Sequence, residues 1–160
     1  MIKKTTVKDK KWHILIANGV NLDLLGKREP DVYGKESLQS IEDKVRKLSH
    51  QLQDIGWGTI DLDFFQSNSE SQFLDKISAG WDGAIINAGA WTHTSLALAD
   101  RLAALRMIFI EVHLSNIFKR ETFRHHSYIA PLAAGSVSGL GSHSYLSALI
   151  GLVANLNEKK

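Results

Sequence analysis

The sequence predicts one α/β domain built on a doubly wound parallel sheet. Three observations lead there: five short apolar runs, longer stretches between them with helical spacing, and polar residues collected where the runs end. The runs are His13–Ala17, Thr59–Phe65, Gly83–Asn87, Met107–Val112 and Ser136–Leu140, and their length and Ile/Val/Phe content suit strands. Leu38, Ile41, Val45, Leu48 and Leu52 recur at intervals of three and four, an amphipathic helix that Gly56 ends. Phe73, Leu74 and Ile77 repeat that spacing more briefly after Ser69 and Glu70. Leu96, Ala99, Leu102, Ala103 and Leu105 follow a start at Thr92–Ser95, and Leu146, Leu149, Ile150, Val153 and Leu156 form the last helix.

Strands that alternate with helices need crossover connections, and right-handed crossovers put helices on both faces of a parallel sheet. The expected architecture is a flavodoxin-like, three-layer α/β/α domain with five parallel strands, spanning residues 13–160 of the 160. Residues 1–12 carry Lys3, Lys4, Lys8, Lys10 and Lys11 against Asp9 and show no periodicity, so a flexible basic extension is expected there.

The formal charge is +2, but the extension holds +4 and residues 13–160 sum to −2. Bulk charge therefore gives no reason to expect nucleic acid or a membrane surface as partner. No run approaches about 18 apolar residues, and the lysine-rich start lacks an apolar stretch, so neither a membrane span nor a secretory leader is expected. The absence of cysteine removes disulfides, thiolate metal sites and thiol nucleophiles, and suits a cytoplasmic setting. The chemistry falls to oxygen and nitrogen groups.

In open α/β sheets, ligands bind beyond the carboxyl ends of the strands. Those ends read Asn18-Gly19-Val20-Asn21, Gln66-Ser67-Asn68, Asn87 and Glu111-Val112-His113-Leu114-Ser115-Asn116. Each such residue alone is an ordinary turn or cap former, but four polar ends above apolar strands predict a shared pocket. Glu111 and His113, two apart on a strand, face one side, either as a proton-carrying pair or as a plain ion pair.

The charged segment from Gly26 to Gly34 is longer than a usual βα loop of ~2–6 residues and reads as a lid. Within it, a guanidinium at Arg28 favours the phenolate of Tyr33 and makes a usable base; the alternative is an aromatic packed on the loop stem. His93 stands at the start of the third helix, where unsatisfied N–H groups suit an anion or polar ligand, and Asp100 follows two turns on along the same face. Arg120, Arg124, His125 and His126 form a basic cluster, read as carboxylate or phosphate binding by Arg124 or as a solvated face. His125-His126 has no further ligand at metal-binding spacing. The glycines of Gly139-Leu140-Gly141-Ser142-His143-Ser144 follow the last strand and lack a third partner, which argues against a dinucleotide fingerprint.

Together, NGVNLDLLGKREPDVYG (18–34), QSNSE (66–70), INAGAWTHTSLALAD (86–100), IEVHLSNIFKRETFRHHSY (110–128) and GSVSGLG (135–141) resemble the type II 3-dehydroquinate dehydratase family, from about Ile14 to about Leu152. The resemblance implies a hydro-lyase that turns 3-dehydroquinate into 3-dehydroshikimate by anti elimination through an enolate, in the shikimate or quinate pathway. It implies Tyr33 as base, activated by Arg28, with Asn21 holding a water at the enolate oxygen. His113, oriented by Glu111, is implied as the acid. Asn87, His93, Leu114, Ser115 and Arg124 match substrate-binding positions, and Asp100 matches a residue that reaches the site from a neighbouring subunit. No cofactor or metal is implied, and the implied assembly is a homo-dodecamer built from trimers. The chain departs from the usual family pattern at Val20, Asp23, Ser71, Trp91 and Met107, none of which is an acid, base or oxyanion group. Two readings from other classes compete with the lyase: a flavodoxin-like module that holds a flavin or small carboxylate, and an oligomer whose polar residues serve subunit contacts.

Overall fold

The computed structural model describes residues 7–27 and 36–158. Its strands are β1 (Lys11–Asn18), β2 (Thr59–Gln66), β3 (Gly83–Asn87), β4 (Ile108–His113) and β5 (Gly135–Ser138). They form one parallel sheet in the order β2-β1-β3-β4-β5. The helices are α1 (Leu38–Asp54), α2 (Glu70–Ile77), α3 (Leu96–Leu105) and α4 (His143–Glu158). This is the doubly wound, three-layer architecture that the alternation predicts.

The period-two geometry of a strand explains why both faces of the sheet are covered. Along β1, Ile14 and Ile16 enter one core layer while Leu15 and Ala17 enter the other. The first layer is closed by Ile41, Val45 and Leu52 of α1 and by Leu149, Leu152 and Val153 of α4. The second is closed by Phe73 and Ile77 of α2 with Leu98 and Leu102 of α3. All five residues of β3 are buried, as the centre of such a sheet requires.

Local signals set the helix ends. Ser37, Ser69 and Ser95 each accept a hydrogen bond from the backbone three residues on, capping α1, α2 and α3. At the end of α1, Trp57 N donates to Leu52 O (3.0 Å) and Gly56 N to Gln53 O (2.9 Å). Gly56 sits at φ 88°, so this is a Schellman closure that a side chain would strain.

Several strand ends differ from the sequence reading by one or two residues. β1 opens at Lys11, not His13, because Trp12 packs on the first core layer and its Nε1 donates to Asn157 Oδ1 (3.1 Å). β4 runs one residue further and takes in His113. β5 stops at Ser138 because Gly139 turns the chain at φ 88°, against Asn116, and leaves Leu140 exposed. Chain direction across the sheet reverses between neighbouring β1 and β3, and a crevice opens where their following segments part.

Candidate active site

The crevice is lined by Asn21, Asn87, His93, His113, Ser115 and Arg124, with Leu114 among the apolar groups beside them. Seven of the residues expected from the sequence are thus together at the carboxyl edge of the sheet. Arg28 and Tyr33 lie outside the described residues.

Three strands supply the floor. Asn18 and Asn87 sit side by side at the ends of β1 and β3 and are both buried. Between them stands the hydroxyl of Tyr145 from α4, which donates to Asn18 Oδ1 (2.6 Å) and accepts from Asn87 Nδ2 (2.8 Å). Asn87 Oδ1 in turn accepts from Gly89 N (3.3 Å), so its carboxamide is held from both ends. Burial drives the Tyr145 hydroxyl well above the ordinary tyrosine range, and the bond from Asn87 offsets this only in part, so Tyr145 remains a neutral donor.

Asn21 takes a left-handed conformation at φ 66°, one that asparagine tolerates better than most residues. Its backbone N–H donates to Asn68 Oδ1 (2.7 Å), and Gln66 Nε2 reaches Asn68 Oδ1 and Gly19 O, each at 3.2 Å. The polar end of β2 therefore braces the Asn21 turn from behind and does not line the cleft. The Asn21 carboxamide makes no capping bond to the turn that follows.

Period two also places Glu111 and His113 together. Val112 is fully buried in the core, while Glu111 and His113 face the opposite side. Glu111 Oε1 accepts from His113 Nε2 (2.6 Å), and Glu111 is 1% exposed, so the carboxylate has given up bulk water for protein donors. With Nε2 committed to the carboxylate, Nδ1 is the ring nitrogen left for a ligand.

His93 ends a 3-10 turn (Gly89–His93) ahead of α3, so it does not share a helix face with Asp100 as the spacing suggests. Asp100 is exposed on α3 and does not line this cleft. The His93 ring stacks on that of His113, with centroids 6.0 Å apart and planes 17° from parallel. His93 Nδ1 donates to the carbonyl of His126 (2.7 Å). Burial holds the His93 imidazole below its ordinary range, and the charges at His113 and Arg124 add to this against the pull of the His126 carbonyl. A neutral ring with Nδ1–H committed presents Nε2 as an acceptor, which suits a ligand hydroxyl.

At the mouth, Arg124 Nε donates to Glu121 Oε2 (3.0 Å), which also lies 3.5 Å from Arg120 Nε. Both guanidiniums border the cleft. Of the rest of the basic cluster, His125 faces the Arg120 carbonyl and His126 contributes its backbone. Among the described residues, no group of three or more His, Asp or Glu is placed to hold a metal ion.

Sequence reasoning placed Asn18 at the polar edge but missed Tyr145 under the floor and Ser127 behind Glu111. The available signal for Tyr145 was a phenol beside the apolar stripe of the last helix, since a buried tyrosine needs a polar partner.

The chain matches the family model "Dehydroquinase class II" over residues 12–153. It is 49% identical over 140 residues to a 3-dehydroquinate dehydratase of Bordetella avium, covering 85% of this chain and 93% of that one. A 3-dehydroquinate dehydratase of Prochlorococcus marinus is 46% identical over 146 residues, with coverages of 89% and 97%. Among solved structures, the type II dehydroquinase of Butyrivibrio crossotus superposes with a TM-score of 0.82 at 37% identity, covering 89% of this chain and 97% of that one. The type II dehydroquinase of Propionibacterium acnes has the same TM-score at 35% identity, with coverages of 92% and 99%.

Proposed function

The chain belongs to the dehydroquinase class II family, and from that premise we propose that it removes water from 3-dehydroquinate to give 3-dehydroshikimate. The observation that carries this reading is the Glu111–His113 pair, buried at the floor of a cleft with amides on one side and guanidiniums at its mouth.

The elimination divides between a base and an acid on opposite faces of the ring. Tyr33, as a phenolate favoured by Arg28, takes the proton from C2, and the electron pair of that C–H bond moves onto the C3 oxygen as an enolate. A water held by Asn21 donates to that oxygen, the kind of placed donor that counts most where charge develops. The enolate then collapses: the C3 carbonyl re-forms, a C1–C2 double bond forms, and the C1–O bond breaks. His113 gives its proton to the departing hydroxyl, which leaves as water. Glu111 stabilises the imidazolium and fixes the ring, as a buried carboxylate does for a histidine general acid. Arg124, the Leu114–Ser115 backbone and the Ser115 hydroxyl hold the substrate carboxylate, while Asn87 and His93 meet its hydroxyls.

We further propose a homo-dodecamer of trimers in the cytoplasm, with Asp100 serving a neighbouring subunit's site. In support, Leu96, one turn before Asp100 on α3, is 60% exposed, as a subunit contact would leave it in a lone chain. No helix among the described residues is long and apolar enough to cross a membrane.

Purified protein mixed with 3-dehydroquinate should show growth of the enone absorbance of the product. Substrate that binds but yields no enone would refute the lyase reading, and sedimentation of the same preparation checks the assembly.

A further inference from the structure

Ser127 lies in the segment between the Arg124 turn and β5, and nothing in the elimination above calls on it. Its hydroxyl oxygen accepts from Ile129 N (3.2 Å) and Ala130 N (2.9 Å), and it donates to Glu111 Oε2 (3.0 Å). A serine hydroxyl has one proton and two lone pairs. Two backbone donors occupy both lone pairs, so the proton has a single direction left, and Glu111 lies along it. Oε2 is thereby held as an acceptor, and a proton placed on it would confront the Ser127 proton. The other oxygen of the same carboxylate accepts from His113 Nε2 (2.6 Å).

We propose that Ser127 is a positioning residue for the acid: its hydroxyl pins the buried Glu111 carboxylate so that His113 keeps its Nε2 proton and turns Nδ1 to the substrate. The inference rests on the reading of His113 as the proton donor. Ser127 touches no reacting atom and acts through Glu111. Without its hydroxyl, Glu111 is free to rotate or to hold a proton, and the imidazole loses the partner that fixes its tautomer.

The test compares Ser127→Ala and Ser127→Thr, in the full chain, by crystal structure and by kcat and KM for 3-dehydroquinate. In Ser127→Ala the Glu111–His113 contact should open beyond hydrogen-bond reach, and kcat should fall about 10- to 100-fold with KM within about threefold. Ser127→Thr keeps a hydroxyl and should restore both contact and rate. On a Glu111→Gln background, Ser127→Ala should cost no more than about a further twofold, because the two act in series. A contact that stays closed in Ser127→Ala, or a kcat within about threefold of wild type, overturns the proposal. So does a loss repeated in full on Glu111→Gln, which would mark collapse of the Ile129–Ala130 turn instead. If Ser127→Ala does not fold, the decision passes to Ser127→Thr, and an open contact there refutes the idea. If wild-type protein leaves 3-dehydroquinate unchanged, the lyase reading falls, and the state of the Glu111–His113 contact in the two crystal structures alone decides the role of Ser127.

Discussion

Tyr145→Phe removes one oxygen from beneath the cleft. The ring is fully buried, and phenylalanine fills the same space, so packing is kept and the hydroxyl is isolated. Two groups lose their partner: Asn18 Oδ1, now 2.6 Å from the hydroxyl, and Asn87 Nδ2, now 2.8 Å from it. Asn18 Nδ2 is already buried without a partner among the described residues, so the substitution leaves that carboxamide wholly unpaired. Each orphaned buried group costs about 1–3 kcal/mol. The deleted hydroxyl no longer has to be desolvated, which returns about 1–2 kcal/mol. At the middle of these ranges the net loss is about 2.5 kcal/mol, or a Tm lower by about 5–10 °C for a chain of this size.

The assay is urea unfolding at fixed protein concentration, followed by tryptophan fluorescence. A variant more stable than wild type would refute the account of the floor. pH supplies a second signature. Burial raises the Tyr145 hydroxyl above its unfolded value of about 10, so the folded chain keeps a proton that the unfolded chain releases. That contribution is complete below about pH 10 and declines above it by about 1.4 kcal/mol per pH unit. Tyr145→Phe lacks it, so the stability gap between the two proteins should narrow above pH 10.

Glu111→Gln should lower kcat by about 100- to 10,000-fold with little change in melting, as measured by enone formation alongside a thermal scan. His93 is held neutral by burial, so unfolding takes up a proton there; this stability is present above about pH 6.5 and is lost as the pH falls below it. His93→Asn still offers an N–H to the His126 carbonyl but does not titrate, and its Tm should fall less between pH 7.5 and 5 than that of wild type. A Cβ on Gly19 would lie 2.5 Å from Ala88 O, a backbone atom at the root of the His93 turn. Gly19→Ala should therefore cost about 1–3 kcal/mol by urea unfolding and raise KM by displacing Asn87 and His93 together.

What the sequence revealed follows from which patterns are periodic. Glu111 and His113 were legible because a strand puts alternate residues on one face, and the apolar Val112 between them marks the other. The helices were legible through three- and four-residue spacing, with Ser69 and Ser95 among the starting residues, whereas the cap at Ser37 came only from the structure. The end of β2 misled, because a polar strand end looks the same whether it faces a ligand or supports a neighbouring turn. Gln66 and Asn68 do the latter. His93 misled in a related way: Thr92 and Ser95 both resemble caps, and only Ser95 is one, which leaves His93 outside the helix. Tyr145 was hidden because helical spacing reports burial, and a buried tyrosine looks like core until its partner is known. That partner lies at the far end of the chain.

The hydrogen bond from Tyr145 to Asn18 joins residues 127 positions apart. On the ribosome, all five strands emerge before α4 is free to dock against them. Until then Asn18 and Asn87 stand at the sheet edge without the hydroxyl that aligns them, and the cleft has no finished floor. A nascent chain therefore gains nothing from substrate in its surroundings and depends on apolar burial alone, in a parallel sheet whose long-range pairings are slow to form. Metabolite-dependent stabilisation begins only once the last helix has arrived.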